Sequence, residues 1–370
     1  MIQEAYNLKK NNTFNIYESF LRENELTKQD IVNNLGLTLP TITKNIDYLL
    51  ENGLIAPSGS RGQTGGRSAV TYSIVADARI ALGLDITTHH VSFVAVDIKG
   101  NIISFTRQWL PFEHTDGYFK KISSLLKSFI RKNELDKSKI LGVGIGVPAL
   151  VREDNKSIFY SRIIEELTAD SYELFDKYIP YDVRLFNDAK AAVFAERWDN
   201  PYMKNVFYLL LSNNVGGAMM TNGKVYSGNY FKSAEVGHMT LVPRGKKCYC
   251  GQLGCVDGYL AATNLSSDDL EGFFRKLSSG DAECVKQWVE YLDYLAVTLR
   301  NVHLLLDCDI IIGGYIGAYI EPYITELRRR AMKLNTFETS ADYIKLCSYK
   351  NESIAAGAAL HFISDFIYSI

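Results

Sequence analysis

Three cysteines and a histidine stand close together in "HMTLVPRGKKCYCGQLGCVDGY", residues 238 to 259 of a 370-residue chain that has only six cysteines and six histidines. His238 is followed by Cys248, Cys250 and Cys255, with Gly245, Gly251 and Gly254 interspersed to let the backbone turn tightly. Three thiolates and one imidazole suit tetrahedral zinc, and four protein ligands leave no open position for a reactive water. The spacing therefore predicts a structural Zn2+ site. Cys-x-Cys is tighter than the usual Cys-x-x-Cys, and the alternative is buried thiols beside a core histidine. Cys284, Cys308 and Cys347 are scattered singly and read as small core residues.

Metal is preferred over disulfides because of the composition. The chain is 47% hydrophobic and 22% charged with a formal net charge of −2, which fits a globular protein and argues against non-specific coating of nucleic acid. No apolar run reaches the roughly 18 to 20 residues of a membrane span, and the first residues lack the apolar stretch of a signal peptide. A cytoplasmic protein with reduced thiols is expected.

A second chemistry lies near the N-terminus. "LTKQDIVNNLGLTLPTITKNIDYLLENGLI", residues 26 to 55, shows a helix start at Thr27, apolar Ile31 and Leu35, a turn at Gly36 and a second periodic run through Ile42, Ile46, Leu49 and Leu50. A glycine-rich stretch carrying Arg61 and Arg67 follows between two short strand-like runs. Helix, turn, helix and basic wing are the parts of a DNA-binding module whose second helix enters the major groove. Thr38, Thr41, Thr43, Lys44 and Asn45 fall near the leading end of that helix, where small polar groups reach bases or phosphates. The same pattern also suits a helical dimerisation bundle. Charge does not separate the two, since residues 1 to 75 carry seven Lys or Arg and seven Asp or Glu. The arginine-bearing loop favours DNA, because a bundle has no use for it.

From about residue 76 the patterning changes to alternating strands and helices. "RIALGLDITTHHVSFVAVDIKGNII" reads as strands with a turn at Lys99-Gly100-Asn101, residues 117 to 133 as a helix, and "KILGVGIGVPALV" as a buried strand. "VRLFNDAKAAVFAERW" is a strand leading directly into a helix, so Asn187 and Asp188 sit at the carboxyl end of a sheet strand, where α/β proteins bind ligands. Later strands carry Gly216-Gly217 and a turn at Asn222-Gly223, and "CDIIIGGYIG" supplies another buried strand. Two α/β lobes with a cleft between them follow.

"GIGVPALV", "FNDAKAAVFAE", "NNVGGAMMTNGKVYSG", "EVGHM" and "CYCGQLGCVDGY" together make the chain resemble the ROK family of sugar kinases and sugar-responsive repressors. The resemblance implies an actin-like, hexokinase-like two-lobed α/β domain behind an all-α winged helix-turn-helix domain. It implies boundaries of 1–76 for the DNA module, 77–190 for the first lobe with helix 354–370 returning to it, and 191–353 for the second lobe with the zinc loop. It also implies that Asn187, Asp188, Glu235 and His238 face a sugar, that His238 joins Cys248, Cys250 and Cys255 on zinc, and that Asp257, where the family has glutamate, completes the sugar set.

Kinase members open with Asp-x-Gly-Gly-Thr, whereas this chain has Asp85 followed by Thr87 and Thr88, and its second phosphate loop reads Ser212-Asn213-Asn214. Side chains then stand where backbone amides would cradle phosphate. The expectation is a non-enzymatic repressor of carbohydrate genes, bound to operator DNA as a homodimer or higher homo-oligomer and modulated by a monosaccharide or derivative. The alternatives are an ATP-dependent sugar kinase and a regulator controlled by a protein partner.

Overall fold

The computed structural model describes residues 2–61, 68–267, 269–334 and 337–370. Helix α1 (Ile2–Arg22) leads into β1 (Leu26–Thr27), α2 (Lys28–Leu35) and α3 (Leu39–Glu51), followed by β2 (Ile55–Arg61) and β3 (Ala69–Ile74). Thr27 starts α2 with a capping box: its hydroxyl accepts from the Asp30 amide while the Asp30 carboxylate accepts from the Thr27 amide. Gly36 ends that helix at φ 64°, a left-handed conformation that lets α3 leave at once in a new direction. The strands form an antiparallel sheet ordered β1-β3-β2, so the module mixes three helices with a three-stranded sheet. Ile16, Tyr17, Phe20, Ile31, Ile42 and Ile46 fill its interior.

The rest of the chain builds two five-stranded sheets of the same design. The first uses β4 (Ile80–Ile86), β5 (His90–Asp97), β6 (Ile102–Trp109), β7 (Ile140–Val147) and β10 (Val183–Asn187), with α4 (Asp116–Lys132), a β8 (Ala149–Val151) and β9 (Ile158–Ser161) hairpin, and α5 (Ser171–Tyr178) between. After α6 (Asp188–Asp199), the second uses β11 (Val206–Leu211), β12 (Val215–Thr221), β13 (Lys224–Tyr226), β14 (Asp309–Gly313) and β15 (Ile344–Leu346). Their orders, β6-β5-β4-β7-β10 and β13-β12-β11-β14-β15, match strand for strand: an antiparallel meander on one side and parallel strands on the other. Helices α7 (Asp257–Leu260), α8 (Leu270–Ser278), α9 (Ala282–Leu306), α10 (Gly314–Gly317) and α11 (Ile324–Lys333) belong to the second sheet's side. No described helix is long and apolar enough to cross a membrane.

The last helix, α12 (Ser353–Ser369), ties these parts together. Its run "AAGAA" brings it against α6 so closely that a Cβ at Gly357 would collide with the Ala191 carbonyl. The same helix covers β4 and β7, and at its far end Tyr368 stacks on Phe14 of α1 with ring centroids 5.1 Å apart. One apolar cluster accordingly joins the N-terminal module, the first sheet and α12.

Candidate functional site

Parallel strand β10 delivers Asn187 and Asp188 to the gap between the sheets. Asn187 caps α6, its side-chain oxygen accepting from the Lys190 amide at 3.1 Å while its Nδ2 donates to Asp188 Oδ1 at 3.0 Å. The same Asp188 oxygen accepts from the Ala189 amide at 2.8 Å. Both side chains are thereby held before any ligand arrives. Burial pushes the Asp188 carboxyl up to about 7, and the nearby Asp85 and Glu235 carboxylates add to the shift.

These residues line a cleft of about 360 Å³ with Glu235, His238, Tyr249, Tyr160 and Asn214. Glu235 opens the tight turn Val236–His238; burial raises its carboxyl, against the pull of His238 and Lys190. His238 has two faces. Its Nε2 meets the Tyr249 hydroxyl at 3.2 Å, and its Nδ1 lies 3.9 Å from Cys248 Sγ. Cys250 and Cys255 place their sulfurs 3.8 Å apart, and one ligand atom from each of the four residues falls within 4.8 Å of the others. The cluster can hold a metal ion, and its loop is closed by short ladders between Thr240 and Cys255 and between Lys247 and Leu253.

Asp257 stands apart from the cleft lining. It is buried at the start of α7, where its carboxylate accepts from the Val215 amide at 2.7 Å and anchors β12. That bond engages one carboxylate oxygen, and the residue is not among those lining the cleft. Tyr249, Tyr160 and Asn214 were missed as lining residues; only Tyr249, set between two cysteines, carried a local signal.

On the other side of Asp188 the cleft narrows to about 40 Å³, lined by Asp85, Thr87, Thr88, Ser212, Asn213 and Tyr315 among others, room for about three waters. Thr87 and His90 close a turn on themselves, the Thr87 amide donating to the His90 carbonyl at 3.0 Å and the His90 amide to Thr87 Oγ1 at 3.0 Å. Arg107 of β6 reaches across to donate to the Tyr315 hydroxyl at 2.8 Å and lies over the ring. Burial lifts the Asp85 carboxyl to about 7, with Arg107 opposing.

In the N-terminal module, Thr38 precedes α3 with its hydroxyl 2.9 Å from that of Thr41. Thr43 and exposed Lys44 face a cleft of about 870 Å³ whose far wall includes Ser369 and Ile370. Asn45 is a correction: it is buried, accepting from the Thr13 hydroxyl at 2.5 Å and donating to the Thr41 carbonyl at 2.8 Å, because its position on α3 faces α1. Arg61 ends β2 and turns back to the start of α2, 3.4 Å from Asp30 and donating to the Glu25 carbonyl at 3.2 Å. Arg67 lies outside the described residues.

The ROK family model matches residues 81–364. The chain belongs to the ROK family. This ROK chain is 18% identical, over 97% of both sequences, to the xylose repressor of Caldicellulosiruptor bescii. It is 29% identical to the N-acetyl-D-glucosamine kinase of Shigella sonnei over 50% of this chain and 67% of the kinase. The solved structure of a ROK family transcriptional regulator, a homolog of the E. coli MLC protein, superposes with a TM-score of 0.73 at 17% identity, covering 98% of this chain and 97% of the other. The kinase resemblance is thus confined to part of the chain, whereas both regulators match it almost end to end.

Proposed function

We propose that this ROK chain is a sugar-responsive transcriptional repressor. The observation that carries the reading is the convergence of Asn187, Asp188, Glu235 and His238 on one open cleft, in a chain that also has a winged helix-turn-helix module. Aimed amide and carboxylate groups suit sugar hydroxyls, and α3 presents Thr38, Thr41, Thr43 and Lys44 to operator DNA. A cytoplasmic homodimer would place two such helices on the half-sites of a pseudo-palindrome.

The metal is structural zinc. Zinc–thiolate bonds of about 2.3 Å in a tetrahedron put sulfurs about 3.8 Å apart, and Cys250 and Cys255 already have that separation. His238 Nδ1, Cys248, Cys250 and Cys255 would hold the ion and stiffen the cleft wall bearing Tyr249 and Glu235. His238 Nε2 remains on the cleft side, held by Tyr249.

Kinase chemistry is disfavoured. Phosphoryl transfer depends on a preorganised phosphate cradle, and the half of the cleft beyond Asp188 offers only about 40 Å³, lined by Thr87, Thr88 and Tyr315 among others. Asp188 then accepts a sugar hydroxyl without taking its proton.

Effector binding would be relayed by α12, which packs behind α6 at one end and reaches α1 and the α3 cleft at the other. By linkage, the effector changes operator affinity by the same factor as the operator changes effector affinity. The test is anisotropy titration onto DNA upstream of the gene, with and without monosaccharides and ATP. Binding that a sugar alters supports the reading; sugar-dependent ATP turnover would replace it with the kinase, and DNA binding that no sugar alters would shift the signal to a protein partner.

A further inference from the structure

The cleft has a polarity that its hydroxyl-binding residues do not explain. Asn187, Asp188 and Glu235 line it together with two cations from opposite lobes, Lys232 and Arg162. Arg162 pairs with Glu165 at 3.2 Å, which leaves most of its guanidinium donors unused. Among the described residues, no carboxylate lies within ion-pair distance of Lys232.

The segment carrying Lys232 is built at a cost. Phe231 and Ala234 adopt φ of 59° and 64°, left-handed values that disfavour any side chain, with Lys232 between them. Such residues persist only where surrounding contacts hold them, and they gather at ligand clamps. Here the contacts are specific: the Ser233 hydroxyl donates to the Tyr226 carbonyl at 2.5 Å, and Phe231 packs edge-on against Phe159 of β9 at 5.9 Å. Arg162 leaves the same hairpin just after β9 ends at Ser161. Two elements from different lobes therefore meet beside the cleft, each supplying one of its lining cations.

We propose that the effector is a sugar carrying an anionic group, a phosphate ester or a carboxylate, which Lys232 and Arg162 bind while Asn187 and Asp188 hold the ring hydroxyls. The inference rests on the sugar-effector reading of this cleft. Charge-assisted bonds from two cations select an anionic derivative over its neutral parent. Because the two cations belong to different lobes, the anion also draws the lobes together, coupling recognition to closure.

The experiment is calorimetry on the full-length, metal-loaded protein with xylose, glucose, N-acetylglucosamine, their phosphate esters, glucuronate and inorganic phosphate, alongside operator release. At least one anionic sugar should bind 10-fold or more tightly than its neutral parent. Lys232→Ala should abolish that preference while leaving the neutral sugar's affinity within 2-fold. The phosphate and carboxylate arms identify the group. A neutral sugar that binds as tightly as every anionic derivative would overturn the proposal while sustaining the sugar reading, and no binding by either class would overturn the sugar reading itself. Inorganic phosphate bound as tightly as the esters would mean a free-anion site and also overturn it. If Lys232→Ala fails to fold, judged by its melting curve, the neutral-to-anionic comparison in the natural protein decides.

Discussion

The two halves of the interlobe cleft meet at Asp188 yet differ in volume, about 360 Å³ against about 40 Å³. In the larger half, polar side chains are held in place by backbone amides and by their neighbours, and their outward faces remain available. In the smaller half, two of the lining side chains are already engaged: Thr87 closes on His90, and Tyr315 accepts from Arg107 across the lobes. Polar residues alone do not make a binding site. They must be oriented, left with unused hydrogen-bonding capacity and given room for a ligand, and the smaller half lacks the room.

Removing the metal tests this contrast most severely, because the thiol cluster supports only the open half. Cys250→Ser should lose the bound metal, lower the melting temperature and abolish effector response, with the cost several kcal/mol in view of the typical contribution of structural zinc. Elemental analysis checks it, and undiminished metal content would remove the assignment. Asp188→Asn should weaken effector binding roughly 10- to 100-fold, the range for losing a charged hydrogen bond of about 1.5 to 3 kcal/mol. Its stability should move the other way. A carboxyl raised from 3.8 to about 7 in the folded state favours folding while protonated and erodes stability as pH rises through that window. The Asn variant should therefore be more stable than the natural protein at pH 8 and show little difference at pH 3.5, as read by denaturant melts.

In the N-terminal module the comparison runs between adjacent residues of α3. Lys44→Ala should weaken operator binding about 10-fold and reduce the slope of log affinity against log salt by about 1, with no loss of stability. Asn45→Ala should instead destabilise the fold by about 1 to 3 kcal/mol, since it strands a buried hydroxyl. A reversal of these two outcomes would mean that α3 turns a different face to α1. The smallest expected effect belongs to the closed half of the cleft: Tyr315→Ala should leave ATP turnover undetectable by phosphorylated-product assay while increasing effector affinity or weakening it only a few-fold. Turnover that appears on opening this space would make the Arg107–Tyr315 contact the main barrier to kinase activity.

Much of this was legible in the residues alone, for reasons of range. The capping box at Thr27, the turn at Gly36, the strand-to-helix junction at Asn187-Asp188 and the turn at Asn222-Gly223 are written in a few consecutive residues, because capping and turn geometry depend on near neighbours. The thiol spacing was equally local, with Cys248, Cys250 and Cys255 on one tight loop. Alternating and helical periodicities carried the two-lobed α/β architecture. Tertiary packing decided what periodicity leaves open: which side of an element faces a partner. It turned Asn45 inward onto Thr13, used Asp257 to hold the Val215 amide, and joined Arg107 to Tyr315 across 208 positions. It also brought Lys232 and Arg162 to one cleft from opposite lobes. Hydrogen bonds and charges act over a few ångströms of space, and the distance between residues far apart along a chain is set only when the lobes pack.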